Sequence, residues 1–136
     1  MYVGGDIVEL RYTHPVLGSG TLFCKAAEDG TLDYGGYRTS DDANMVTGDG
    51  QMIVQLNRSL GSFETPPIAW DMTDKDELEK LNALSASPQN ADWTITSVSG
   101  AIWGGKGRPV GDLPGNTNTA QITLKLAFEG KIKRIS

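Results

Sequence analysis

The sequence predicts a single, mainly β domain with one short α-helix, arranged as an antiparallel β-sandwich or barrel. Three observations lead to this fold class. The chain has 136 residues, the length of one domain, and can bury a core without disulfides or metals. Short segments of alternating apolar and polar residues are separated by turns in a chain with 17 glycines. One segment alone carries leucines at helical spacing, so one helix is expected.

The first two strands are predicted to form a hairpin from residues 6–13 and 21–26. A turn around His14, Pro15 and Gly18 separates them, because these residue types interrupt a strand. Alternate apolar residues define one face of each strand: Val8, Leu10 and Tyr12 in the first, and Leu22, Cys24 and Ala26 in the second.

Residues 27–50 are predicted to form a long functional loop. The segment is rich in Gly, Asp and Thr and has no clear periodicity. Loops of this length in a compact domain are usually functional or disordered. Its scattered apolar residues are candidates for contact with a partner subunit: Leu32, Tyr34, Tyr37, Met45 and Val46.

Asp74 is predicted to cap the single helix. Glu77 follows three residues later, which is the spacing of a capping box. Leucines then recur on one face, and Ser87-Pro88 ends the helix. The narrow apolar stripe predicts that the helix lies against one side or end of a sheet.

Three further strands share the apolar–polar alternation and are predicted at residues 51–57, 91–99 and 120–132. The second of these is expected to continue into residues 101–103 past a bulge at Gly100. Residues 104–118 are rich in Gly, Pro and Asn and are predicted to form a connection.

Composition excludes several classes of function. Cys24 is the only cysteine and His14 the only histidine, so an internal disulfide or a Cys/His metal cluster is impossible. Cys24 is expected to be a small buried side chain, with a disulfide between subunits or a reactive thiol as the alternatives. The net charge of −5 argues against a protein that grips nucleic-acid phosphates. No segment approaches the roughly 18 apolar residues of a membrane span, and no signal-peptide pattern opens the chain, so a monomer made in the cytoplasm without membrane insertion is expected.

The charges are unevenly distributed along the chain. Residues 1–50 carry eight acids and three bases, whereas residues 92–136 carry three acids and six bases. Such a polar sequence favours head-to-tail association of identical subunits, although small domains also segregate charge by chance. Trp103, Lys106 and Arg108 lie in the basic part and are further candidates for a subunit interface.

Three motifs suggest chemistry but lack its requirements. Residues 100–106 match the start of a phosphate loop, yet Gly107 stands where Ser or Thr must hold magnesium, so a glycine-rich turn is expected. Acids at 41, 42 and 49 lack the spacing and the terminal Glu of a calcium loop. The pairs Trp70-Asp71 and Asp92-Trp93 are too common to indicate glycoside catalysis. We predict no catalytic, cofactor-binding or metal-binding residue and therefore no enzyme.

The order of elements resembles that of a known family, most closely over residues 74–135. The resemblance is carried by the helix DELEKLNAL, the strand ADWTITSVSGAIW, the turn GGKGRPVGD and the terminal strand TAQITLKLAFEGKIKRI. This organisation is similar to the tail tube proteins of long-tailed, contractile-tailed bacteriophages and related phage-like injection systems.

The resemblance implies a virion structural protein rather than a catalyst. Proteins of this family form hexameric rings whose sheets join into an inner β-barrel, and the rings stack into a hollow tube for genome passage. The implied partners are further copies of the chain together with tail sheath, tape-measure and baseplate proteins, and DNA passes through transiently without specific binding. The implied location is the virion tail.

Other functions stay open at this point. The chain could be a tube initiator, a tube terminator or another baseplate component of the same fold. It could also be a small β-type binding module that uses its tryptophans to hold a carbohydrate, or a small enzyme.

Overall fold

One large antiparallel sheet dominates this computed structural model, which describes residues 1–39, 46–73 and 76–136. Its strands follow the order β2-β1-β8-β9-β12-β6-β3, and β13 also pairs with β9. Two smaller sheets have the orders β10-β11-β7 and β4-β5. The strands are β1 (Ile7–His14), β2 (Gly18–Phe23), β3 (Thr31–Asp33), β4 (Gly36–Arg38), β5 (Asn57–Ser59), β6 (Ser62–Glu64), β7 (Ile68–Ala69), β8 (Ala91–Ser97), β9 (Ile102–Pro109), β10 (Gly115–Asn116), β11 (Gln121–Ile122), β12 (Lys125–Phe128) and β13 (Lys133–Arg134).

The mainly β fold class with one short helix and antiparallel pairing is therefore confirmed. We call the three-stranded sheet β10-β11-β7 the small sheet. The chain just after β2 meets it through a bridge between Cys24 and Ile68 and through a hydrogen bond of 2.8 Å from Lys25 N to the carbonyl of Pro67. The barrel or sandwich arrangement stays a prediction.

The first hairpin forms as predicted, with shifted details. Leu10 and Tyr12 are buried, but an irregularity in pairing between Ile7 and Glu9 leaves Val8 exposed. β2 already begins at Gly18 and ends at Phe23, so the prediction of a strand at 21–26 with Ala26 on its buried face was wrong. The glycines expected to break the strand pair with β1 instead.

The predicted connection at residues 104–118 was wrong, because most of its first half is strand β9. Gly100, with φ of 94°, lies in a tight turn that reverses the chain, so β8 and β9 pair as antiparallel neighbours rather than as one strand with a bulge. β9 lies in the interior of the main sheet, with β8 on one side and β12 and β13 on the other.

The glycines of β9 are there for space rather than for a turn. A Cβ at Gly105 would lie 2.8 Å from Cδ1 of Phe128, and one at Gly107 would overlap the carbonyl oxygen of Ala127. A glycine inside a strand often marks such a close approach of another group. The composition that predicts a loop therefore reflects tight packing against the core aromatics.

The predicted terminal strand has the right faces but is divided. Ile122, Leu124, Leu126 and Phe128 are buried, which confirms the alternation. Ala120 has a positive φ of 55° and precedes the strand. β11 pairs with β7 in the small sheet, whereas β12 pairs with β6 and β9 in the main sheet.

Helix α1 spans Glu77–Ala86 and packs its leucines into the core. Its N-cap is Asp76, whose carboxylate accepts a hydrogen bond from Glu79 N at 3.3 Å, so the prediction of Asp74 as cap was wrong; Asp74 itself lies outside the described residues. Leu81 and Leu84 are buried. Ser85 Oγ donates to the carbonyl of Pro109 at 3.3 Å, which fixes the helix beside β9.

The core lies between the inner face of the main sheet, the helix and the small sheet. It consists of Leu10, Tyr12, Leu22, Phe63, Ile68, Leu81, Leu84, Ala91, Trp93, Ile95, Ile122, Leu124, Leu126, Phe128 and Ile132. Trp93, which is 1% exposed, packs beside Tyr12 with ring centroids 5.5 Å apart and donates its Nε1 hydrogen to the carbonyl of Gly107 at 3.0 Å.

Candidate assembly surface

A hairpin arm leaves the body of the protein between β3 and β6. We define the arm as residues 34–60, of which 34–39 and 46–60 are described. Within it, β4 and β5 pair with each other and with no other described strand. Further out, Val46 and Met52 form a bridge, and the carbonyl of Gln51 accepts a hydrogen bond from Thr47 N at 2.8 Å.

The arm corrects two sequence predictions. The segment 27–50 is not a structureless loop, because it contributes β3 to the main sheet and β4 to the arm. Residues 51–57 do not form the predicted buried strand: Met52 makes only the isolated bridge, and the next strand begins at Asn57. The apolar alternation is present in the sequence, but no described element covers it.

The described part of the arm therefore exposes seven large apolar side chains to solvent. Its exposed side chains are between 45% and 72% accessible and comprise Tyr37, Val46, Met52, Ile53, Val54, Leu56 and Leu60. Single exposed apolar residues are ordinary, but contiguous patches on a soluble protein mark interaction sites. The arm is thus the strongest candidate for contact with another protein surface.

The base of the arm is fixed to the body. Trp103 Nε1 donates to Tyr34 Oη at 2.6 Å, and Ile132 N donates to the carbonyl of Tyr34 at 2.8 Å. On the returning side, Gly61 N donates to the carbonyl of Gly130 at 2.7 Å. These bonds join both ends of the arm to β9 and to the chain between β12 and β13.

An ion pair strengthens the outgoing side of the base. The guanidinium of Arg38 donates to both carboxylate oxygens of Asp33, at 2.6 and 3.0 Å. This hydrogen bonding, helped by Gly35 N, lowers the pKa of Asp33 to about 2. The pair links β3, in the main sheet, to β4, in the arm.

The apolar residues among the predicted interface candidates fall into three places within the described residues. Tyr37 and Val46 are exposed on the arm, and Met45 lies outside the described residues. Tyr34 and Trp103 meet at the base, while Leu32 packs against the core beside Phe63. Met52, Val54 and Leu56 are surface residues that the sequence does not predict, because their alternation matches that of a half-buried strand.

Lys106 and Arg108 lie on the polar outer face of the main sheet. Strand alternation turns Trp93 inward and Asp92 outward, and Asp92 is opposite Lys106. Arg108 Nε donates to Asn90 Oδ1 at 2.6 Å, and Asn90 Nδ2 donates to Glu129 Oε2 at 2.7 Å. Hydrogen bonds therefore connect the side chains of Arg108, Asn90 and Glu129 on this face, which is not part of the core.

The structure assigns plain structural roles to the residues that suggest chemistry. Burial raises the pKa of the Cys24 thiol to about 11, so the reactive thiolate is scarce at neutral pH. Asp92 and Trp93 point to opposite faces of β8 and cannot share a cleft. Residues 102–109 are strand, so no helix N-terminus follows the phosphate-loop-like segment.

Of the acids that suggest a calcium loop, only Asp49 belongs to the described residues. Asp41 and Asp42 lie outside the described residues, and Asp49 accepts a hydrogen bond from Thr47 Oγ1, which lowers its pKa. Within the described ranges, no three His, Cys, Asp or Glu side chains are gathered in a way that could hold a metal ion. The described part of the chain also contains no helix of the length and hydropathy required to cross a bilayer.

Neither the family models nor the curated proteins include a match to this sequence.

Proposed function

We propose that this protein is a structural component that assembles with copies of itself into stacked rings, forming a hollow tube of the kind that tail tube proteins build. The exposed apolar arm is the observation that carries the proposal. It is firmly attached at its base but leaves its outer apolar side chains uncovered, which is costly in a monomer and favourable at an interface.

The open sheet edge adds a second reason for self-association. β3 ends the main sheet and has β6 as its one strand partner in the described residues. Unpaired edges of a sheet tend to recruit further strands, and a closed ring of identical subunits satisfies every edge without open-ended growth in the plane. An arm that reaches into the next ring would then stack the rings.

In this proposal, the tube conducts a genome during delivery from a virion tail. Tail sheath, tape-measure and baseplate proteins are its expected neighbours. The net charge of −5 supports a conduit that DNA phosphates pass without binding, since an acidic protein repels them.

Negative-stain electron microscopy of the purified protein tests the proposal. The wild type is expected to form rings or tubes of fixed diameter. The double variant Val54→Ser with Leu56→Ser is expected to stay folded but not to stack into tubes, because it removes apolar surface from the arm without disturbing the core. Sedimentation velocity and circular dichroism report the mass and the fold.

A matched control uses two exposed apolar residues elsewhere. Val16 and Val98 are 75% and 63% accessible, similar to Val54 and Leu56 at 63% and 62%. Val16→Ser with Val98→Ser should leave the rings intact. A wild type that stays monomeric at all concentrations contradicts the proposal, and rings that never stack favour a tube initiator or terminator.

A further inference from the structure

A basic groove lies beside the base of the arm. It has a volume of about 360 Å³ and a floor that includes the backbone of Gly104, Gly105 and Gly130. Four cationic side chains from four segments surround it: Arg58 in β5, Lys106 in β9, Lys131 between β12 and β13, and Lys133 in β13. We call these four residues the basic groove.

Within the described residues, the four bases of the groove form no ion pair. The ion pairs formed between described residues involve other bases, namely Arg11, Lys25, Arg38 and Lys125. The one acid lining the groove, Glu129, accepts a hydrogen bond from Asn90 Nδ2. Four cations outnumber the single acid that lines the groove and repel one another, so an anionic partner is favoured at this position.

The rest of the chain has the opposite charge. Outside the groove, the sequence retains eight bases against sixteen acids. The densest group of acids in the described residues is the acidic turn, which we define as Asp76, Glu77 and Glu79 at the start of α1. A second copy of the chain therefore offers the groove a compact acidic surface.

We propose that the basic groove of one copy binds the acidic turn of helix α1 in a second copy. This inference rests on the proposed function and names the electrostatic half of the interface between copies. Arg58 connects the two halves, because it belongs to β5 of the arm and its guanidinium lies 6.0 Å from the ring centre of Tyr37.

The geometry requires that the contact form between chains. The helix packs Leu81 and Leu84 against the face of the main sheet that carries Trp93. Lys106 and Lys133 belong to the opposite face, because Lys106 is opposite Asp92 and Lys133 is opposite Gly104 in the same register. The acidic turn and the basic groove lie on different faces of the main sheet. They therefore meet between neighbouring copies that are arranged head to tail.

Charge reversal with rescue tests the contact in the full-length protein. Lys131→Glu and Glu79→Lys, made separately, are each expected to raise the protein concentration needed for ring or tube formation by about tenfold or more. The double variant should restore assembly towards the wild-type concentration, since the reversed charges again attract. Lys25→Glu changes the net charge by the same amount as Lys131→Glu, away from the groove, and should have little effect.

The outcomes separate this inference from the proposed function. If Lys131→Glu assembles at the same protein concentration as the wild type, the groove contact is overturned but the tube proposal is not. If the single variants impair assembly and the double variant does not recover, the acidic turn is not the occupant. If the wild type binds a labelled DNA duplex and Lys131→Glu abolishes that binding without affecting assembly, the groove is a nucleic-acid site instead. A wild type that never assembles overturns both proposals.

Discussion

His14 shows how a single polar residue can be buried without a chemical role. Its side chain is 3% exposed, and its Nδ1 accepts hydrogen bonds from the backbone of Val16 and Leu17 at 3.1 and 3.0 Å. Because Nδ1 accepts, Nε2 carries the hydrogen and meets Ser87 Oγ at 2.9 Å and the carbonyl of Gln89 at 3.2 Å. The imidazole therefore ties the first hairpin turn to the end of the helix.

Replacing His14 by Phe should lower the free energy of unfolding by about 1–3 kcal/mol, because the part-buried groups that bond to the ring lose their partner. His14→Asn should cost less, since its amide oxygen can still accept from the turn. Urea denaturation followed by tryptophan fluorescence measures both. Equal midpoints for His14→Phe and the wild type would contradict the assigned role.

Asp33 predicts a pH dependence at the base of the arm. Folding lowers its pKa from 3.8 to about 2, so the carboxylate stabilises the folded state above pH 4 and this contribution is lost as the pH falls towards 2. Asp33→Asn should therefore be less stable than the wild type near neutral pH, and the difference should disappear near pH 2.

Thermal unfolding between pH 2 and 7 tests this dependence, and carbon-detected NMR gives the pKa of Asp33 directly. In the control variant Arg38→Gln, the pKa of Asp33 should rise towards its ordinary value, because the main hydrogen-bond donor is gone. A stability difference between Asp33→Asn and the wild type that does not change with pH would argue against the pair.

At the scale of the element, β9 explains why glycine and strand occur together. Its glycines allow Phe128 and the backbone of Ala127 to approach the centre of the main sheet. The strand is therefore a packing surface for large neighbours. Its position in the sheet depends on the absence of side chains at Gly105 and Gly107.

Gly105→Ala should lower the free energy of unfolding by about 1–3 kcal/mol, because its Cβ would lie 2.8 Å from the Phe128 ring in a packed core. Gly48→Ala is the matched control, since no atom of the described residues, apart from its own chain neighbours, lies within 4 Å of its Cβ position. The control should be unchanged or slightly stabilised, because alanine restricts the unfolded chain. Chemical denaturation of both variants decides, and equal stabilities would refute the packing argument.

At the scale of the whole molecule, the protein divides into a packed body and an exposed arm. The two ends of the arm lie together: a Cβ at Gly35 would be 2.7 Å from the carbonyl carbon of Leu60. The bonds from Tyr34 and Gly61 to the body lie outside the segment 36–59. The arm can therefore be removed without disturbing the sheets that hold the core.

Replacing residues 36–59 by a short Gly-Ser linker should yield a folded protein that no longer stacks into tubes. The thermal unfolding midpoint should stay close to that of the wild type, because the core loses no side chain. Calorimetry and electron microscopy test the two statements separately. Normal tubes from this deletion would dismiss the arm as the assembly surface, and an unfolded product would contradict the division into body and arm.

The amino-acid sequence by itself determined the local features of this protein. Period-two alternation assigned the buried face of Ile122, Leu124, Leu126 and Phe128 correctly, since neighbouring side chains of a strand must point to opposite sides. Leucine spacing found the helix, although the cap was placed two residues too early. These features depend only on residues close together in the chain.

The tertiary structure alone decided which apolar rows are covered. Met52, Val54 and Leu56 alternate much as residues 122–128 do, yet they remain exposed because no described strand or helix packs on them. The composition of β9 predicts a loop, yet β9 is a central strand. Its glycines leave room for Phe128 and for the backbone of Ala127, which are distant in the sequence. Burial is a property of two surfaces in contact, and a local pattern specifies only one of them.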